Sequence, residues 1–144
     1  MNELVLICEI GDRQVAMSTD HIRSVIDVEH VTAIPGAPAH VLGLTALRSQ
    51  ALTIVDTRLA LGLEPADKGG EKRAVVTDID GHAYALLIDR ADDVCASLSD
   101  PKPLPGGFGA GWQDVAIGVV ETERGPSLLV DIKKLAAGLP ALAA

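Results

Sequence analysis

The hydrophobic residues of this chain fall in short runs of strand length, and turn-forming residues separate one run from the next. Two such runs joined by a tight turn predict a β-hairpin. The clearest example spans 74–88, where Asp80-Gly81 tolerates the positive φ that a two-residue turn needs. The N-terminal run 4–10 turns at Gly11-Asp12 in the same way. Taken along its length, the pattern predicts roughly ten short strands and little helix.

Two further segments, 22–31 and 91–98, fit either a helix or a strand, since β-branched residues compete there with helical spacing. Just before the first of them, the polar residues at 18–20 offer an N-cap to a short helical turn. The polar run 64–73 is predicted to be a linker, and the Pro- and Gly-rich segment 99–114 is predicted to be a loop.

The most informative feature is a repeat about 75 residues apart. Residues 41–56, VLGLTALRSQALTIVD, match residues 116–131, AIGVVETERGPSLLVD, without a gap. The identical positions are Gly43/Gly118, Val55/Val130 and Asp56/Asp131. A Leu- and Ala-rich segment ending in Gly-Leu follows each copy. The repeat predicts two similar subdomains that share a core.

Composition narrows the possible functions. The 144-residue chain has a net charge of −8 and one residue each of Phe, Trp and Tyr, so its core must be aliphatic. Nucleic-acid binding requires a basic surface and stacking aromatics, and an anionic membrane attracts basic segments, so both roles are disfavoured. No signal-peptide pattern and no apolar run of about 20 residues are present, and we expect a cytoplasmic protein.

Short, evenly spaced strands favour small barrels or a sandwich over a parallel sheet. Closing each half into a barrel would also protect its strand edges from pairing with other chains. We therefore predict a mainly β fold of two small barrels related by internal duplication, with short helices or turns. The division is expected near residue 72, giving subdomains at 14–72 and 73–139 within one domain spanning 1–144. The strand at 3–10 is a candidate partner of the second subdomain.

Residues 22–63, IRSVIDVEHVTAIPGAPAHVLGLTALRSQALTIVDTRLALGL, resemble the first half of the CheW domain. That family has a V-x-E-I stretch, a Pro-containing loop, an N-L-R-G hairpin and a V-D-L-R strand end. Residues 74–139 are similar to its second half and include the ending VDIKKL. The chain departs from the pattern at 46–49, where ALRS replaces NLRG, and at Asp27, which is shorter than the family's acidic residue. Ser49 is compatible with a turn of negative φ.

The resemblance implies two five-stranded SH3-like barrels and a role as a non-enzymatic adapter or scaffold of bacterial chemotaxis. The partners it implies are the regulatory domain of a CheA-type histidine kinase and the cytoplasmic tip of chemoreceptors, within a two-component system. One alternative is a divergent member that binds the kinase or a non-chemotaxis partner without receptor coupling. A second alternative is a small-molecule-binding barrel.

The candidate partner-binding residues are Val25, Ile26, Asp27, Gly43 and Arg48. The resemblance implies that Val25 and Ile26 border a groove for receptor helices, where an apolar surface suits a helical partner.

Arg48 lies at a predicted hairpin tip turning at 48–50, where its guanidinium would contact a partner or would pair with Asp56, Asp27 or a loop carbonyl. Gly43 marks either a bulge and a close approach of two backbones or a flat patch for a partner helix.

No catalytic, cofactor-binding or metal-binding residue is predicted. The repeated Asp56 and Asp131 are expected to cap the turns that follow them, rather than to act as paired catalytic carboxylates. The four histidines lack ligand spacing. Asp78-x-Asp80-Gly81 resembles the start of a calcium loop but fits a hairpin turn better. Cys8 and Cys95 are expected to be small buried hydrophobic residues.

Overall fold

A computed structural model describes residues 3–65 and 72–138 of the chain. This part of the chain contains ten β-strands, three short α-helices and one 3-10 turn at Thr19–His21. The strands are β1 (Leu4–Ile10), β2 (Arg13–Ser18), β3 (Ser24–Val28), β4 (Val41–Leu47), β5 (Gln50–Val55), β6 (Lys72–Ile79), β7 (His82–Ile88), β8 (Arg90–Ala96), β9 (Ala116–Thr122) and β10 (Gly125–Val130). The helices are α1 (Thr57–Ala60), α2 (Ala110–Val115) and α3 (Ile132–Ala137).

The strands form two five-stranded sheets, which confirms the predicted fold class. The first sheet has the order β8-β1-β2-β10-β9, and the second has the order β3-β6-β7-β5-β4. Neighbouring strands are antiparallel, except for the parallel pairs β2–β10 and β5–β7.

Each sheet curls until its edges meet. Beyond β3, Thr32 exchanges two backbone hydrogen bonds of 2.8 Å with Leu44 of β4. Beyond β8, Lys102 exchanges bonds of 2.9 and 2.8 Å with Val119 of β9. These bridges turn each sheet into a small barrel and satisfy backbone groups that an open edge would leave unpaired.

The two repeats are interlocked. The strands β1 to β5 correspond in order to β6 to β10, but each sheet takes its hairpin from one repeat and its other three strands from the other. The parallel pairs show the correspondence, because Ala16 lies opposite Leu129 in one sheet and Ala85 lies opposite Ile54 in the other.

The sheet pairing therefore divides the chain differently from the predicted subdomains 14–72 and 73–139. Hairpin 72–88 joins the second sheet through the parallel β5–β7 pair, and β2 joins the first sheet. Strand β1 pairs with β2 and β8. Such pairings depend on contacts between residues far apart in sequence, which the local pattern does not specify.

Strand alternation separates the core into three parts. One cluster fills the first barrel, a second fills the second barrel, and the largest lies between the sheets and beneath the helices. Cys8 belongs to the cluster between the sheets and Cys95 to the first barrel, and both are buried as predicted. Aliphatic packing on both faces of the sheets explains the small number of aromatic residues.

The ambiguous segment 22–31 contains strand β3, and the ambiguous segment 91–98 contains all of β8 except its first residue, Arg90. The predicted helical turn forms at Thr19–His21 with Ser18 at its N-cap position, but the Ser18 side chain makes no cap hydrogen bond. Its hydroxyl donates instead to the carboxylate of Glu3. Most of the predicted linker 64–73 lies outside the described residues.

The prediction of a loop throughout 99–114 was wrong for its last part, which forms α2. Trp112 and Val115 are one helical turn apart and both pack into the core between the sheets. Gly111 allows the helix to approach α1, because a Cβ atom there would lie 2.0 Å from the Leu61 carbonyl oxygen. The spacing of Trp112 and Val115 was the available helical signal, and the surrounding glycines obscured it.

A candidate partner-binding surface

A groove opens between the edge strands β3 and β4 of the second barrel, and we call it the seam groove. It has a volume of about 640 Å³. Its wall and floor are formed by Ile26, Asp27, Glu29, His30, Thr32, Leu44, Thr45, Ala46, Leu47 and Ala51. Two of the five sequence-predicted residues, Ile26 and Asp27, therefore line this groove, and Arg48 follows directly after its lining residue Leu47.

Apolar side chains are exposed along the segment that forms the groove. Ile26 is half-buried and packs against the core of the second barrel. Val25 points to the opposite face of the strand and is 38% exposed. Val31, Ile34 and Leu44 are exposed to a similar extent. Sequence reasoning missed these three, although alternation along β4 would have placed Leu44 outside the barrel.

The carboxylate of Asp27 is paired within the fold. It lies 3.3 Å from the guanidinium of Arg73, which is directly opposite on β6. Asp56, another suggested partner of Arg48, accepts hydrogen bonds from the backbone N–H groups of Arg58 and Leu59 at 3.0 and 3.3 Å. Both carboxylates that the sequence suggested as internal partners of Arg48 are therefore engaged elsewhere.

Arg48 and Ser49 form the two-residue turn between β4 and β5, while Gln50 already belongs to β5. The turn residues have φ values of +50° and +69°. The exposed Arg48 side chain makes no hydrogen bond or ion pair with the part of the chain that the structure describes. Ser49 thus has a positive φ rather than the negative φ that suits a serine, because the twist of a tight hairpin selects a left-handed turn.

Gly43 lies at a β-bulge, where the register of β4 and β5 shifts between Val41 and Gly43. A Cβ atom at Gly43 would be 2.3 Å from the carbonyl oxygen of Thr32. At Gly118, the corresponding distance to the Lys102 carbonyl oxygen is 2.5 Å. Closure of the two barrels thus explains a glycine at both positions, and a partner-contact role for Gly43 stays a prediction.

The repeated aspartates act as helix caps, as predicted. Asp56 caps α1, and Asp131 accepts hydrogen bonds from the N–H groups of Lys133 and Lys134 at 3.0 and 3.2 Å to cap α3. Asp80-Gly81 forms the predicted hairpin turn, with φ values of +51° and +83°.

Residues 3–65 and 72–138 contain no group of three or more His, Cys, Asp and Glu side chains that could hold a metal ion. Burial raises the pKa of the Cys8 thiol to about 12, and the nearby charges of Asp92 and Asp89 act in the same direction. A thiol held protonated in this way is a poor nucleophile. No helix in the described ranges is long and apolar enough to cross a membrane.

Several known proteins resemble this chain. It is 31% identical over 85 residues to the probable chemotaxis protein CheW of Rhizobium etli and 30% identical over 97 residues to the chemotaxis protein CheW of Rhizobium meliloti. These matches cover 59% and 67% of this chain but only 55% and 63% of the two relatives, less than two thirds of their length. A chemotaxis protein CheW of Treponema pallidum is 26% identical over 135 residues, which are 88% of this chain and 78% of the relative.

The crystal structure of the scaffolding protein TtCheW from Thermoanaerobacter tengcongensis has the same fold, with a TM-score of 0.79 at 17% identity. That similarity covers 94% of this chain and 88% of the other. The CheW-like domain family matches residues 4–139, nearly the full length described above. The protein therefore belongs to the CheW-like domain family.

Proposed function

We propose that this chain is a non-enzymatic chemotaxis adapter that couples chemoreceptors to a CheA-type histidine kinase in the cytoplasm. Family membership and the chemotaxis names of its relatives support the role. The structural observation that carries the proposal is the seam groove, which has apolar and polar lining residues and lies next to a hairpin tip. The arginine at that tip makes no hydrogen bond or ion pair with the described residues. An adapter requires a surface that binds other proteins and does not require a catalytic site.

The kinase contact is assigned to the tip of the β4–β5 hairpin. The Arg48 guanidinium carries five N–H donors in a planar fork that suits a carboxylate on a partner. Leu44 and Ala46 lie beside it and face outward, so an apolar side chain of the kinase regulatory domain can fill the seam groove next to the ion pair. An arginine beside a desolvated apolar contact is a common composition of interface hot spots.

The receptor contact is assigned to the exposed face of β3. A receptor tip made of helices presents apolar side chains at helical spacing, and these need an apolar surface to cover them. Val25 is exposed on the outer face of β3, and the half-buried Ile26 lines the seam groove. The adapter would then bias the kinase by holding its regulatory domain at a fixed position relative to the receptor.

Calorimetric titration of the full chain with the regulatory domain of its cognate kinase, and separately with a receptor-tip fragment, tests the proposal. We expect Arg48→Ala to weaken kinase binding about fivefold or more, the effect of losing one hot-spot contact. Val25→Asp should weaken receptor binding. Arg124→Ala is the matched control, because Arg124 lies in the turn of the repeated hairpin β9–β10. Absence of binding to both partners at tens of micromolar, or equal losses with the control, would contradict the proposal.

A second candidate is an adapter that binds the kinase without coupling receptors. The observation that favours it is the altered hairpin, where Ala46 lines the seam groove and Ser49 adopts a positive φ in place of the family's Asn and Gly. The same titrations separate the two functions. Kinase binding without receptor binding supports the second candidate, and binding of both partners rejects it.

A further inference from the structure

A second groove lies between the two barrels, and we call it the inter-barrel groove. It has a volume of about 520 Å³ and is formed where β2, β6 and β10 end and α3 begins. Both sheets contribute to it. A groove of this size accommodates a few side chains of a bound peptide rather than a whole helix.

Carboxylates dominate the charged part of the lining of the inter-barrel groove. They belong to Glu3, Asp20, Asp78, Asp80 and Asp131, against the single ammonium group of Lys133. Asp78 is paired with Arg23 at 3.1 Å, and Asp80 with Lys133 at 3.4 Å. Asp20 makes no hydrogen bond or ion pair within residues 3–65 and 72–138. The groove thus keeps negative charge that the fold does not neutralise.

An apolar contact point lies beside these carboxylates. Ile117 is the extra residue of the bulge between β9 and β10, and it is 56% exposed, the highest value for any large apolar side chain that the structure describes. It lines the groove together with Leu129 and Ile79. Covering this isoleucine with an apolar side chain of a partner would remove its surface from water and stabilise a complex.

In the other repeat, a cationic side chain forms an ion pair at the place equivalent to this groove. There, the second residue of α1, Arg58, donates to the Asp89 carboxylate at 3.0 and 2.8 Å. Asp89 also accepts from the Gly11 N–H group at 2.7 Å. The contact joins α1, the β1–β2 turn and the end of β7, and it holds the two sheets together with a bidentate ion pair.

In the inter-barrel groove the corresponding residues are Lys133, the second residue of α3, and Asp20. Asp20 lies four residues after Ala16 of the parallel β2–β10 pair, as Asp89 lies four residues after Ala85 of the parallel β5–β7 pair. The position of Gly11 is occupied by Asp80. Lys133 forms its ion pair with Asp80 instead, and the two side chains are 69% and 72% exposed. Among the residues that the structure describes, no guanidinium therefore occupies the place that Arg58 fills in the other repeat.

From this comparison we propose that the inter-barrel groove binds a short basic-apolar segment of a partner protein. A guanidinium of the partner faces Asp20 and Asp80, as Arg58 faces Asp89 in the other repeat. A neighbouring apolar side chain of the partner covers Ile117. This interaction is separate from the seam groove and does not depend on the adapter function.

Titration of the isotope-labelled full chain with the peptide acetyl-Arg-Leu-Arg-Leu-Arg-amide, followed by amide chemical shifts, tests the proposal. We expect saturable shifts for Asp20, Asp80, Ile117 and Lys133 at peptide concentrations up to about 2 mM, in the affinity range of a small contact. Asp20→Asn should weaken binding about two- to fivefold, as expected for one partly exposed ion pair. Ile117→Ser should weaken it by about fivefold through lost apolar burial.

Matched controls separate the groove from general attraction by an acidic protein. Asp93→Asn removes the same charge on β8, and Val94→Ser removes an exposed apolar side chain there, so neither should change the affinity. The peptide acetyl-Glu-Leu-Glu-Leu-Glu-amide should not bind. Absence of shifts at the groove, equal binding of both peptides, or equal losses in the β8 variants would overturn the proposal. All four substituted side chains are exposed, and the thermal midpoint verifies that each variant is folded.

Discussion

Asp27 and Arg73 lie directly opposite each other on β3 and β6, and their charged groups are 3.3 Å apart. This pair engages Asp27, one of the two carboxylates that line the seam groove. Arg48, at the tip of the neighbouring hairpin, is consequently left to interact with solvent or with another protein. Asp27 and Arg73 thus form a structural ion pair, whereas Arg48 is available for binding.

Double-mutant cycles should show that Asp27 is coupled to Arg73 and not to Arg48. We expect a coupling energy of about 0.2–1 kcal/mol between Asp27 and Arg73, because exposed pairs are weakened by solvent and salt. Coupling between Asp27 and Arg48 should be near zero, and Arg48→Ala should leave the free energy of unfolding nearly unchanged. Urea denaturation of the single and double alanine variants measures these values. A larger coupling to Arg48 would show that it has an internal structural role.

Substitution of the closure glycines should destabilise both barrels. Gly43→Ala and Gly118→Ala force a methyl group against the carbonyl oxygens of Thr32 and Lys102, and we expect losses of about 1–3 kcal/mol in the free energy of unfolding. Gly106→Ala is the control, because open space surrounds that position and it has no positive φ. It should be neutral or slightly stabilising. Equal effects at Gly43 and Gly106 would refute the closure argument.

Ser49→Gly should stabilise the protein. Ser49 has a φ of +69°, where an L-residue is strained and glycine is not. After allowance for the greater freedom of glycine in the unfolded chain, the expected gain is about 0.5–1 kcal/mol. Ser24→Gly within β3 should instead lower stability by a similar amount. Thermal and urea unfolding of both variants give the comparison, and a loss at Ser49 would mean that its hydroxyl has a role not seen in the fold.

Cys8 should make stability fall at alkaline pH. Burial raises the pKa of its thiol in the folded state to about 12, above the value in the unfolded chain. Between those two values the folded state binds more protons than the unfolded state, so the free energy of unfolding decreases as pH rises from about 9 to about 12. Cys8→Ala should show a shallower decrease over this range. Unfolding curves at several pH values measure it, and parallel slopes for the two proteins would exclude the effect.

Local features of the fold were predictable from the sequence, because they depend on neighbours in the chain. Asp80-Gly81 specified its hairpin turn, and Asp56 and Asp131 specified the caps of α1 and α3. The partnership between hairpin 72–88 and β5 was not predictable, since neither alternation nor turn chemistry states which hairpin lies beside which strand. The family resemblance supplied the barrel type, which composition alone left open.

The candidate surface was predictable only in part. The sequence pattern placed Arg48 at a hairpin tip, and the family resemblance implied that Val25 and Ile26 border a groove. The sequence did not distinguish whether Arg48 pairs internally, because that depends on the cross-strand register that opposes Asp27 to Arg73. The inter-barrel groove could not be predicted from the sequence. Asp20, Asp80 and Ile117 are far apart along the chain, and only the interlocked topology places them in one groove.

The interlocking of the two repeats also limits how the molecule can be divided. Neither repeat alone can complete a sheet, because the hairpin at the centre of each barrel is donated by the other half. A half-length polypeptide would achieve closure only by reciprocal exchange with a second copy, so the present fold is equivalent to a swapped dimer joined into one chain. Proteolytic nicking between the halves should consequently leave fragments that stay together until the whole structure melts.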